Sequence, residues 1–360
     1  MSVSDADSPR RLPAGAAIFA LALLLTTVLV LAASIGPVAF APGQVARAMF
    51  HPVLPGLVPA PAAQPSPLDA AVTLSGASVG ETIRDRLPRV LLAALVGASL
   101  SVAGAALQGL IGNPLADPYT IGVSSGASVG AGVAIFLGID AALGGLALSL
   151  CAFGAALLTL LLVFALARVG GRLHTASFLL AGIVAGSFLW ALTTLLLSLK
   201  QETQNRLLLY LMGRFSEAAW PQVGTLVLVT LAGVFLLTLA GRGLDAMSFG
   251  EDTARSVGVD VERFKVGVLA LAALVTAASV AVAGIIGFVG LVVPHLARRL
   301  VGPPHRALIP VSALLGALLT VLADLLARTV RGGEELPVGV VTALLGAPFF
   351  AYLLRRQAGQ

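Results

Sequence analysis

Apolar residues run along the chain in long uninterrupted blocks, and polar residues collect in the short gaps between them. The blocks lie at about 14–36, 89–111, 120–138, 143–167, 175–199, 221–241, 266–284, 285–301, 307–327 and 336–354. About 20 apolar residues cross a bilayer as a helix, so the pattern predicts about ten spans. The seventh and eighth share one continuous stretch, Ala270–Leu296, which is too long for a single span. It contains Gly284, Gly287, Gly290 and Pro294, and is divided near Gly284. The first block follows Arg10 and Arg11, as a signal peptide would. It exceeds the roughly 7–15 apolar residues of a cleavable leader and is expected to remain as a helix.

Composition agrees with this pattern. Hydrophobic residues make up 58% and charged residues 11%, with a mean hydropathy of +0.99, against roughly 25% charged in soluble domains. The expected fold class is therefore all-α, a polytopic membrane protein. The single cysteine, Cys151, leaves no internal disulfide to form. The net charge of +5 is scattered at the block ends with no dense patch, which argues against a nucleic-acid partner.

With both termini in the cytoplasm, 13 of the 22 basic residues fall on the inner side, the bias that membrane topology favours. Arg84, Arg86, Arg89, Arg328 and Arg331 are the exceptions, and such an exception invites a partner. Residues 1–13 form a cytoplasmic N-terminus and 14–356 one transmembrane domain. An outer loop at about 51–69 carries six prolines from Pro52 to Pro67 and is expected to be extended. At an offset of 180 residues, Ser101–Gly104 matches Ala281–Gly284 and Pro114 matches Pro294. A repeat would put five spans in each half, and an odd number makes the halves inverted.

Gly97, Gly104, Gly109 and the run 122–132 are foremost helix-packing surfaces, with a pathway lining as the alternative. Among the few polar residues in or beside spans, Asp324 is four before Arg328 and is expected to pair with it. His295 is expected to be a structural hydrogen-bonder rather than a ligand. HExxH, CxxC, GxSxG and phosphate-loop motifs are absent, so no metal site, nucleophile, cofactor or nucleotide site is expected. The segment 244–265 is polar and amphipathic. Ser248 caps a helix there, Glu251 closes a capping box, Ala254 and Val257 share a face, and Gly258 stops it. Such a helix is a solvated connection, lies on the lipid surface, or docks a cytosolic partner.

The segments "RLPR", "GNPLADPYTIGVSSGASVGA", "LLAGI", "YLMGRFSEAAW", "SFGEDTARSVGVDVERFK", "GIIGFVGLVVPHLARRLVGPPHR" and "ELPVGVVTALLGAPFF" follow one another in order. In type and sequence they resemble the permease subunits of the ATP-binding-cassette importers for ferric siderophores, haem and cobalamin, over about residues 84–355. The Pro-rich stretch departs from that pattern by its length. The resemblance implies ten spans per subunit in two inverted halves, a homodimer, cytosolic ATP-binding subunits, an extracytoplasmic substrate-binding protein and a multi-pass place in the cell membrane. It also implies roles for residues. Arg86, Arg89 and Arg328 would dock the binding protein, with lipid-headgroup anchoring as the alternative, and reversing Arg89 is expected to leave folding intact. Asn113, Leu115 and Thr175 would form the cytoplasmic gate. Ser248, Gly250, Glu251, Ala254, Arg255 and Gly258 would couple to the ATPase, so the permease itself is no enzyme. The other class in view is an ion-coupled secondary transporter of a bulky solute, for which Asp324 is the one candidate coupling group.

Overall fold

The computed structural model describes residues 12–36, 40–50, 79–140, 146–169, 172–330 and 335–358. The Pro-rich stretch and residues 1–11 lie outside them. Each expected block becomes a helix, in the order α1 (Ala14–Ser34), α2 (Pro42–Phe50), α3 (Val79–Ile111), α4 (Val123–Phe136), α5 (Leu146–Ala167), α6 (Thr175–Leu199), α7 (Gln201–Leu211) and α8 (Trp220–Leu239). After these come α9 (Gly241–Ser248), α10 (Glu251–Ser256), α11 (Val261–Ala283), α12 (Val289–Val301), α13 (His305–Thr329) and α14 (Val338–Ala358). Arg168–Val169 and Arg172–Leu173 form a two-residue antiparallel pair, β1 and β2, before α6.

Seven of these helices, α1, α3, α5, α6, α8, α11 and α13, are long and apolar enough to cross a membrane. The other three blocks are shorter. α4 has 14 residues and α12 has 13, lengths of about 20 Å against a hydrocarbon core of about 30 Å. The apolar part of α14 runs from Val338 to Leu354, before Arg355.

The middle of the bundle is α3. Its apolar window is 89% buried, whereas those of α1, α6 and α8 are 28% buried and keep an outward surface of leucine, phenylalanine and valine. Glycine gives α3 its close neighbours. A Cβ at Gly97 would overlap the Gly316 carbonyl oxygen of α13, and one at Gly104 would overlap the Gly290 carbonyl of α12. Backbones meet directly at these points, the packing that small residues permit in membranes. Thr320 of α13 adds a hydroxyl bond of 2.7 Å to the Ala93 carbonyl of α3.

Both short helices follow a break in the chain. The expected division at Gly284 is present: α11 stops at Ala283, Gly284 has φ +73°, and α12 starts after Phe288 at φ +69°. In the first half α3 stops at Ile111, Gly112 has φ +67°, and a 3-10 turn at Pro118–Ile121 leads into α4. Gly112, not Gly104, thus plays the part of Gly284. The 180-residue offset pairs a mid-helix glycine with a helix stop, so that match is not a structural equivalence.

Non-helical backbone inside a membrane needs protein partners for its polar groups. Tyr119 supplies two, because its hydroxyl donates to the Ile286 carbonyl (2.9 Å) and accepts from the Ile286 N–H (3.0 Å). Gln108 Nε2 donates to the carbonyls of Ala116, Gly290 and Leu291 at 3.3–3.4 Å, while its Oε1 accepts from Arg298 at 2.6 Å. The two breaks are therefore bonded to each other. Tyr119→Phe would strand both backbone groups of Ile286, which is fully buried, at a cost of about 1–3 kcal/mol. Thermal unfolding in detergent should show a lower midpoint for Tyr119→Phe and none for Tyr352→Phe, whose ring is exposed.

Candidate functional site

The sequence-expected residues gather at opposite ends of the bundle. At the end where α1 finishes, Arg86 and Arg89 of α3 meet Arg328 of α13. Arg89 donates through Nε and Nη2 to Asp324 Oδ1 (3.0 and 2.9 Å) and through Nη1 to Glu335 Oε1 (2.6 Å). Arg328 Nε lies 3.1 Å from Asp324 Oδ2, so the expected Asp324–Arg328 pair is present. Its Nη1 and Nη2 donate to the Ile35 and Ala32 carbonyls at 3.1 and 3.0 Å. Arg86 reaches the Ala33 carbonyl at 3.4 Å and lies over the Phe40 ring. Two arginines thus cap the exposed carbonyls of the α1 C-terminus, where the helix dipole favours cations.

One consequence corrects an expectation. Asp324 is only 1% exposed and rests between two guanidinium groups. Reversing Arg89 would leave that carboxylate facing another one, and breaking a buried pair costs about 3–5 kcal/mol. Folding is not indifferent to Arg89.

The opposite end holds the remaining candidates. Asn113 Oδ1 accepts from the Leu115 N–H (2.9 Å), a local turn that presents Leu115 outward at 43% exposure. Asp117 caps the 3-10 turn through the Tyr119 N–H. Beside this loop lies a cavity of about 600 Å³ lined by Gln108, Pro114, Asp245, His295, Arg298 and His305. His305 Nδ1 is 2.6 Å from Asp245 Oδ1, tying α13 to α9. His295 Nε2 is buried without a hydrogen-bond partner among the described residues, which corrects the expected structural bond at that atom. Thr175 opens α6 just after the β1–β2 pair and does not line this cavity. Asn113 and Leu115 are brought together by their turn. Among the described residues no three His, Cys, Asp or Glu side chains form a metal-binding group.

The polar segment after α8 folds differently from its expected capping box. Ser248 ends α9, and its hydroxyl donates to the Leu244 and Gly109 carbonyls at 3.0 and 3.3 Å. Gly250, at φ +106°, precedes α10 instead. Glu251 turns away to Lys265 (2.6 Å) and Arg255 (3.1 Å), because a buried ammonium outcompetes a cap for the carboxylate. Ala254 is fully buried while Val257 is 66% exposed, so the two do not share a face. Gly258 has φ +86° and stops the helix, as expected, with Gly258 N–H bonded to the Arg255 carbonyl and Val259 N–H to that of Ala254.

Three features escaped sequence reasoning. Phe249 before α10 is 78% exposed and Val257 after it is 66% exposed, so the charged helix is flanked by two outward apolar side chains. Lys265, 3% exposed, joins Glu251 to the Leu173 carbonyl (3.1 Å), while Glu262 accepts from the Leu173 N–H. Glu335 completes the arginine cluster. Lys265 follows Glu262 at three residues along the start of α11, and that helical spacing was the one visible signal.

The FecCD transport family matches residues 22–356. The ABC transporter permease protein YvrB of Bacillus subtilis is 48% identical over 274 residues, covering 76% of this chain and 78% of that one. The cobalamin import system permease protein BtuC of Halobacterium salinarum is 41% identical over 353 residues, covering 92% and 94%. The hemin transport system permease protein HmuU of Yersinia pestis is 41% identical over 278 residues, covering 76% and 83%. A metal-chelate-type ABC transporter solved in an inward-facing conformation superposes with a TM-score of 0.78 at 30% identity, over 95% of this chain and 99% of that one. These relatives are transport permeases, and with the family match over most of its length the chain belongs to the FecCD transport family.

Proposed function

We propose that the chain is the permease subunit of an ATP-binding-cassette importer in the cell membrane, taking up a ferric siderophore, haem or cobalamin. ATP is hydrolysed by separate cytosolic subunits, a substrate-binding protein delivers the cargo outside, and two copies of the permease enclose the path. Both termini and the α9–α10 end lie in the cytoplasm. Permeases of such importers work with ATPase and substrate-binding partners. Relatives named for cobalamin and hemin, and a metal-chelate-type structural neighbour, support a bulky chelate or macrocycle as cargo.

The observation that carries this reading is α10. A six-residue charged helix with exposed Phe249 and Val257 at its flanks is suited to a cleft on another protein, not to crossing lipid. Ser248, Gly250, Glu251, Ala254, Arg255 and Gly258 shape it: Ala254 seats it on the bundle, Arg255 pairs with Glu251 and Asp252, and the glycines end its two sides. A push on α10 reaches Lys265 through Glu251, and through Lys265 the strand residue Leu173, two positions before Thr175. The gate assigned to Asn113, Leu115 and Thr175 would be moved by this route and through the Ser248 hydroxyl on Gly109. Arg86, Arg89 and Arg328 would receive the binding protein at the far end. The ion-coupled alternative loses its support, since Asp324 is held between Arg89 and Arg328.

Purified permease in proteoliposomes should show no ATP-dependent uptake until ATPase subunits and binding protein are added; concentrative uptake under an ion gradient alone would overturn the importer. A Cβ at Gly258 meets no neighbour within 4 Å, so the first cost of Gly258→Val is conformational, about 1 kcal/mol or more for a Cβ at positive φ. Transport should fall, and ATPase stimulation by the binding protein should fall with it. Unchanged transport and stimulation would remove α10 from the coupling role.

A further inference from the structure

The arginine cluster holds two carboxylates of different kinds. Asp324 sits on the rigid α13, 1% exposed, between Arg89 and Arg328. Glu335 lies in the non-helical segment before α14, 48% exposed, and among the described residues its carboxylate pairs with Arg89 Nη1. Asp324 cannot leave without unfolding its surroundings, whereas rotation of the Glu335 side chain frees Arg89 Nη1 and little else. The backbone there is independently anchored, because the Leu336 N–H is bonded to the Ala327 carbonyl at 3.0 Å.

Charge points the same way. Arg86, Arg89 and Arg328 carry three positive charges against two negative ones, and among the described residues Arg86 has no carboxylate partner. With Glu335 turned out, Asp324, paired with Arg89 and Arg328, is the one carboxylate of the five named groups left against three guanidinium groups, and the outward face of the cluster is a fitting place for an acidic side chain.

We propose that Glu335 is a resident carboxylate that occupies Arg89 in the undocked permease and is displaced there by an acidic side chain of the substrate-binding protein. This rests on the docking reading above. The exchange replaces one charge-assisted hydrogen bond by another, so it proceeds without leaving Arg89 unpaired at any stage. Its value is in release. When the binding protein departs, Glu335 returns, and Arg89 is never left as a half-buried cation with one face unmatched. Glu335 thereby lowers affinity on purpose, in a cycle where the partner must leave after each delivery.

The test uses the full transporter in lipid nanodiscs and the binding protein that supports its ATP-dependent uptake, with association measured at low and high salt. Glu335→Gln should tighten Kd by about twofold to fivefold at low salt, the effect of removing one exposed competing pair, mainly through slower dissociation. Screening should shrink the gain at high salt. Glu335→Asp, which keeps the charge but shortens its reach, should shift Kd less and in the same direction. Arg86→Glu, outside the Asp324 pairing, should weaken association. If Arg86→Glu weakens docking while Glu335→Gln leaves Kd unchanged or raises it, the exchange is wrong and the docking reading stands. If neither variant moves Kd, both fall.

Discussion

Contact between α3 and its neighbours is backbone against backbone, and the rest of the bundle is arranged around that fact. Gly97 lies on the Gly316 carbonyl and the Thr320 hydroxyl, and Gly104 on the Gly290 carbonyl. A larger residue at either point would push α13 or α12 outward and separate everything those helices carry. In lipid there is no gain from hiding apolar surface from water between helices, so this close fit and a few polar bonds are what hold the bundle together. Ser99 to Thr230 at 2.7 Å and Thr320 to Ala93 at 2.7 Å are two of those bonds.

Because α13 is pinned to α3, it joins the two ends of the molecule. His305 at its first residue grips Asp245 of α9, and Asp324, 19 residues on, grips Arg89 of α3. The intervening rise is about 28 Å. One continuous helix therefore spans from the α9 end to the arginine cluster, with a fixed partner at each. The short helices α4 and α12 lie differently: each starts inside the protein after a glycine stop, and Tyr119 and Gln108 supply the bonds that lipid could not.

The ion pairs show why charge at a bundle end has more than one meaning. Arg328 and Arg86 cap the carbonyls that α1 leaves open, and Arg89 neutralises Asp324. These are intramolecular duties, so the arginines at this end of the bundle do not each need an external partner. The Nη1 side of Arg89 is covered by the half-exposed Glu335. Lys265 does comparable work at the other end, where one buried ammonium joins α10, α11 and the strand before α6.

The residue pattern alone set the all-α class, the order of the apolar helices, the stop at Gly284 and the stop at Gly258. Each of these depends on local properties: apolar length, glycine's access to positive φ, and the absence of charge over a span. The Asp324–Arg328 pair was legible for the same reason, since four residues along a helix is a local distance. Tertiary structure decided what depended on residues far apart in the chain. Glu251 was expected to cap its own helix, but Lys265, reached through space, takes it. Ser248 was expected to start a helix, and by packing on Gly109 it ends one. The 180-residue match lost its meaning because equivalence belongs to helix stops, Gly112 and Gly284, not to similar letters. Arg89 looked like a free charge at a mouth, and its partner Asp324 lies 235 positions away. Periodicity and propensity carry no record of such distances; only the folded backbone, brought close by glycine, sets them.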